Sequence, residues 1–158
     1  MPVPLKEDYN RRQKLIELIE KPLWTITGKC AKDTLIPDLV SICKVNDQHQ
    51  FIIFDAKYYN AHWKGNCSDR QPGIESITKQ YLYRLAYQRF IEDHKFSSVK
   101  NCFLLPTENN EIEDKGEVRM EMLSNLGLQD IKIRLIPATM AYDLYLSGSK
   151  MDMERLDL

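Results

Sequence analysis

The sequence predicts an α/β sandwich built on a mixed β-sheet, and three observations predict it. Short apolar runs of strand length alternate with segments of helical period. Two of those runs are separated only by five polar residues, as in an antiparallel hairpin. The next run is reached across a long helical segment, the crossover that brings later strands back to the same sheet.

The elements follow in order. Tyr9–Lys21 (YNRRQKLIELIEK) reads as a helix with Leu15, Ile16, Leu18 and Ile19 on its buried side, stopped by Pro22. Leu23–Thr27, ending at Gly28, reads as a short strand. Leu35–Val45 reads as a strand whose early Pro37 suits an edge or a strand start. Residues 46–50 (NDQHQ) form the polar turn, and Phe51–Tyr58 is the returning strand. Residues 60–73 are loop in character, with Gly65, Pro72 and Gly73 as breakers. A long helix over Ile74–Ile91 comes next, then strands at Val99–Pro106 and Asp130–Pro137. Between those strands lie a polar segment, Thr107–Lys115, and a helix near Val118–Leu126; a last helix starts near Met140.

At 158 residues the chain suits one domain, residues 1–158, with a real core. No apolar run spans a bilayer and the polar start has no signal-peptide character, so the expectation is a cytoplasmic protein without membrane contact. Cys30, Cys43, Cys67 and Cys102 lie far apart, without CxxC, and His49, His62 and His94 add no zinc spacing, so the thiols read as reduced and structural. A net charge of −1 argues against coating nucleic acid by charge alone. The charge is uneven, however: residues 57–100 hold eight Lys or Arg against four Asp or Glu, and residues 101–158 hold six against eleven.

One position stands out. The run Phe51-Ile52-Ile53-Phe54 is followed by Asp55-Ala56-Lys57, and residues two apart in a strand share a face, so the acid and the lysine point into one space. Acid, any residue, lysine also occurs at Asp93/Lys95, Glu113/Lys115 and Asp130/Lys132, so the pattern alone carries little. Only Asp55 ends a buried run and faces a strand carrying another carboxylate, Asp38, beside Pro37. A turn over residues 46–50 leaves Asp38 and Asp55 out of register, and twist or a bulge is needed to bring them together. Converging carboxylates repel unless a cation lies between them, and magnesium accepts one or two carboxylates plus waters, with the Ala56 carbonyl as a further oxygen. Lys57 beside that ion can hold a water and offset charge on a phosphate. The same residues also fit a structural Asp–Lys pair with an unrelated Asp38, and geometry alone leaves both readings open.

At these residues the chain resembles the PD-(D/E)xK nuclease superfamily, through Pro37-Asp38 and Asp55-Ala56-Lys57. The segment QPGIESITKQYLYRLAY, Gln71–Tyr87, resembles that of LlaJI-type restriction endonucleases, in which a lysine–glutamine pair follows the catalytic strand. The resemblance covers residues 35–90 most specifically. It implies a restriction-endonuclease-like αβα core with a mixed central sheet. The implied activity is magnesium-dependent cleavage of double-stranded DNA, with manganese as the alternative ion. Asp38 and Asp55 become metal ligands together with Ala56, Lys57 the catalytic lysine, and Gln80 the active-site glutamine.

Related exonuclease-like members carry a tyrosine four residues after that glutamine, where this chain has Arg84; Tyr83 stands one position early. On a helical wheel Ser76, Gln80, Tyr83, Arg84 and Tyr87 share a face that either meets phosphate or is solvated, opposite Ile77, Tyr81, Leu82 and Leu85. Lys64, Arg70, Lys79 and Arg84 are candidate DNA contacts, with His62 and Trp63 in the same loop region; Lys79 can instead pair with Glu75. Glu17 or Glu20 is a candidate for approaching the metal. A duplex cut needs two scissions, so a homodimer, a partner nuclease or a recognition subunit is expected. The competing functions are a catalytically silent nuclease-fold scaffold and a resolvase- or transposase-type DNA-cleaving subunit.

Overall fold

The structure, a computed structural model, describes residues 17–19, 21–25, 28–30, 33–59, 61–64 and 67–158. Most of the helix expected over Tyr9–Lys21 lies outside the described residues. Ile19, which is described, is buried against the main core.

Two residue pairs, β1 (Leu23–Trp24) and β2 (Lys29–Cys30), form a small antiparallel hairpin where a single strand is expected. β3 (Leu39–Val45) and β4 (Gln48–Ala56) form the predicted hairpin, but its turn is much tighter than the sequence reading. Only Asn46 and Asp47 make the turn, at φ of +50° and +63°, and Gln48, His49 and Gln50 already belong to β4. Two successive positive φ values are the signature of the type I′ turn, which matches strand twist and which Asn and Asp tolerate better than other non-glycine residues. The expected loop over residues 60–73 contains a second hairpin, β5 (His62–Lys64) with β6 (Cys67–Asp69).

The long helix is α1 (Ile74–Ala86) followed by α2 (Gln88–His94), with Tyr87 between them at φ −90°, ψ 3°. Backbone bonds run across the joint, Tyr87 N–H to the Tyr83 carbonyl at 3.2 Å and Ile91 N–H to the Tyr87 carbonyl at 2.9 Å. β7 (Ser98–Thr107) comes next, then β8 (Glu113–Val118), the short α3 (Glu121–Ser124), β9 (Ile131–Pro137), α4 (Ala138–Ser147) and a 3-10 turn at Met153–Leu156. β8 lies where the sequence predicts the end of a polar segment and the start of a helix. Its sequence EDKGEV has no apolar period because it is a sheet edge, where charges are tolerated on both faces and discourage further pairing.

The sheet order is β3-β4-β7-β9-β8. The inner strands β4, β7 and β9 run parallel and the two edges antiparallel, the mixed sheet the sequence predicts. Parallel strands covered on both faces need near-continuous apolar runs, and FIIF in β4 and CFLLP in β7 supply them, whereas β9 (IKIRLIP) carries Lys132 and Arg134, which pair with Glu117 and Asp114 of β8. α1 and α2 cover one face, packing Tyr83, Tyr87 and Phe90 on Phe51 and Ile53, and Tyr81 on Phe103 and Leu105. On the other face Ile52, Phe54 and Cys102 pack against Leu156 of the C-terminal 3-10 turn.

Arg134 fastens that turn. From β9 it donates to the Leu156 carbonyl at 2.6 Å, the Asp157 carbonyl at 2.5 Å and Asp114 Oδ1 at 2.6 Å, while almost wholly buried. Among the described residues Cys43 and Cys102 are free thiols, and burial pushes the Cys102 thiol up to about 12, so it stays protonated and inert. No helix among the described residues is long and apolar enough to cross a membrane.

The helical wheel of α1 is corrected by its packing. Gln80, Tyr83, Arg84 and Tyr87 are buried along with Tyr81 of the opposite group, whereas Leu82 and Leu85 are substantially exposed. Polarity misleads here because the aromatic rings of this stripe carry the burial and its polar atoms find partners, or are stranded, inside.

Candidate active site

Strand alternation sends Phe51, Ile53 and Asp55 of β4 toward α1, and Ile52, Phe54 and Ala56 toward the C-terminal turn. Lys57 extends the ladder by one residue, its N–H reaching the Leu104 carbonyl at 2.8 Å, so it keeps the facing of Asp55. Its Nζ lies 2.5 Å from Asp55 Oδ2 and 5.9 Å from the centroid of the Phe103 ring, an ion pair on an aromatic floor.

The tight turn settles where Asp38 stands. β3 and β4 pair Leu39 with Phe54 and Val45 with Gln48, so one step further along the same register Asp38 faces Asp55. A turn centred on residue 48 puts Asp38 opposite Tyr58 instead, which is why the wider turn read from sequence leaves the acids apart. No bulge is needed. Asp38 Oδ2 accepts the Ala56 N–H at 2.8 Å, which anchors the carboxylate across the strand end.

The two acids interact directly. Burial raises the Asp55 carboxyl above the ordinary carboxylate range; the bond and charge of Lys57 pull it back, and the charge and hydrogen bond of Asp38 push it up again. The charge of Asp38 thus disfavours a negative charge on Asp55, and a cation between the two would offset that repulsion. Two carboxylates beside a backbone carbonyl are hard oxygen donors of the kind magnesium takes, with water completing its shell.

Gln80 is fully buried and its Nε2 donates to the Ile53 carbonyl at 3.0 Å, two residues before Asp55. Its Oε1 has no partner. The carboxamide therefore holds the strand that carries the acid. Tyr83, one turn further along α1, belongs to the helix face that the sequence offers either to phosphate or to solvent, and the structure buries it. Its phenol is raised first by burial and then by the charges of Asp55 and Asp38, which places it within the field of both acids. The available signal was its position three residues after Gln80, on the same side of the helix.

The candidate DNA contacts separate. Arg84 is buried and donates from Nη1 to Gln88 Oε1 at 2.5 Å, so its guanidinium turns inward and not toward a duplex. Lys79 and Arg70 are exposed, Arg70 with φ of +60°. Lys64 lies in β5, paired through its backbone with Cys67. Glu17 is exposed, and Glu20 lies outside the described residues. Of the other acid–lysine pairs, Glu113 and Lys115 do meet, at 2.8 Å, on the sheet edge, while Lys132 turns to Glu117 at 2.6 Å. Lys132 thus has an acid across the strand, Glu117, but that group lies on the open edge strand β8 and not at the end of a buried run.

An α/β core with a five-stranded mixed sheet, helices on its faces and the acids and lysine at one strand end defines a restriction-endonuclease-like fold. The chain belongs to the LlaJI restriction endonuclease family, whose profile matches residues 6–144. It is 29% identical over 157 residues to the type II restriction enzyme BsuMI component YdjA of Bacillus subtilis strain 168. That match covers 96% of this chain and 32% of the relative, so the chain spans about a third of the relative's length. No solved structure matches the chain.

Proposed function

We propose that the chain is a PD-(D/E)xK nuclease domain that hydrolyses phosphodiester bonds of double-stranded DNA with magnesium, as part of a restriction enzyme. The observation that carries this reading is the facing pair Asp38 and Asp55 with Lys57 bonded to one of them. Asp38, Asp55 and the Ala56 carbonyl would hold the ion, with manganese as the alternative. When bound, magnesium supplies Lewis-acid stabilisation of charge developing on phosphate.

The protein's own groups do the rest. Lys57, held by Asp55, directs its Nζ at the attacking water, helps it lose a proton, and offsets phosphate charge. Gln80 fixes the strand at Ile53, so it positions the acids. The Tyr83 phenol, kept protonated by its surroundings, remains a hydrogen-bond donor beside them. The relative is named a component of its enzyme, which favours a second arrangement in which this domain cuts only with other components present.

The test is incubation of unmethylated plasmid with magnesium, with EDTA in place of magnesium, and with Asp55→Ala and Lys57→Ala proteins. Cutting by the unaltered protein with magnesium alone is expected. Magnesium should also raise its melting temperature, and leave that of Asp55→Ala unchanged, a readout that needs no partner or DNA. Equal cutting by all proteins, or no thermal shift and no cutting, removes the proposal.

A further inference from the structure

Several polar atoms enclosed between α1 and the sheet have no hydrogen-bond partner among the described residues. On the helix they are Gln80 Oε1 and Arg84 Nε, one turn apart, and the unpartnered Tyr87 hydroxyl continues the same stripe. On the sheet it is Asn101 of β7, 1% exposed, with both its amide oxygen and its amide nitrogen unpartnered. Asn101 lies between Val99, which belongs to the cluster of Tyr83 and Tyr87, and Phe103, which belongs to that of Tyr81, so it shares their facing toward α1. Its register partner on β4 is Ile53, one strand spacing (~4.8 Å) away and on the same face. The Ile53 carbonyl is the one that Gln80 Nε2 reaches. Asn101 and Gln80 therefore enter one small space from opposite layers.

Their polar atoms are complementary. A carbonyl only accepts, so the nitrogen of the Gln80 amide must face Ile53 and its oxygen must face the interior, where it needs a donor. Asn101 Nδ2 and Arg84 Nε are donors in that layer, and Asn101 Oδ1 is an acceptor. No two of them bond directly, but a water making two bonds of ~2.8 Å bridges groups that lie beyond direct reach. A buried water is held by two to four polar groups, and three side chains supply them here. Bare, each group keeps its desolvation cost uncompensated, the guanidinium most of all. We propose that Asn101, Gln80 and Arg84 hold ordered water between α1 and the sheet, and that through it Asn101 positions Gln80. The consequence for Asp55, two residues after Ile53, rests on the nuclease reading: the water fixes the amide that holds the strand carrying the acid.

The experiment is urea unfolding of the full chain, without metal or DNA, for the wild type, Asn101→Val, Gln80→Met and the double variant. Asn101→Val should lower the folded-to-unfolded ratio by roughly tenfold, since it strips the water from Gln80 and Arg84. The double variant should lose less than the product of the two single losses, because both substitutions act on one shared water. An Asn101→Val protein as stable as the wild type, or more so, overturns the proposal, as deleting a bare amide only relieves a cost; so do losses that multiply. In the wild type, where no variant has to fold, the Asn101 side-chain amide protons should show nuclear Overhauser contact with water, and their silence overturns the proposal equally. Positioning has its own readout. The magnesium-induced rise in melting temperature should shrink in Asn101→Val but persist in Ile133→Val, a comparable loss in the core beneath α1. An equal rise in both overturns the positioning role. A wild type with the water contact but no magnesium-induced rise removes only the nuclease reading.

Discussion

At the scale of single residues, Asp55 sets a conflict between function and stability. Its folded carboxyl is raised above its unfolded value, so the stability this group contributes is fully present in acid and is lost as pH rises through the raised folded value. Asp55→Asn should therefore melt at or above the wild-type temperature near neutral pH without metal, with the difference vanishing in acid, while cleaving no DNA; melting curves across pH check it. The same elevation means protons compete with the cation, so the magnesium-induced rise in melting temperature should shrink as pH falls. Gln80→Met keeps volume but deletes the bond to the Ile53 carbonyl, and should cost about 1 kcal/mol in urea unfolding. The acid–lysine pair was readable because strand alternation is a strict rule. Tyr83 was not, since its relation to the acids depends on how deeply a ring packs, which no spacing encodes.

At the scale of elements, the Asn46–Asp47 turn governs the site from its far end. Both residues hold positive φ, a conformation glycine adopts more readily, so Asp47→Gly should stabilise the protein by about 0.5 kcal/mol, read from denaturant midpoints with an unchanged slope. Loss of its exposed ion pair to Lys44 offsets little of this. The hairpin itself was legible in the sequence, and its register was not. Gln48, His49 and Gln50 are polar and look like turn, yet they pair with Val45, Lys44 and Cys43 at the open end of the sheet, where solvent tolerates them. β8 escaped for the same reason. A strand's solvated end, like an edge strand, owes its place to hydrogen bonding with a neighbour, and neither of these stretches announces that in its side chains.

At the scale of the whole molecule, one arginine closes the second face of the sheet. Arg134 reaches from β9 to carbonyls at 156 and 157 and to Asp114 on the edge strand, tying the C-terminal turn over Ile52, Phe54 and Cys102. Arg134→Met should lose roughly 3 kcal/mol and hasten tryptic cutting after Arg155, measured by the rate at which the terminal peptide is released. Sequence patterning conveyed the mixed sheet because parallel inner strands demand apolar runs, but a polar anchor such as Arg134 looks like any exposed charge until the chain folds back on it. The facing acids carry a last implication, for descent. As they meet across a ladder, any residue gained on one rail must be matched on the other, so kindred chains should keep the parity of the interval between Asp38 and Asp55 even where its length drifts.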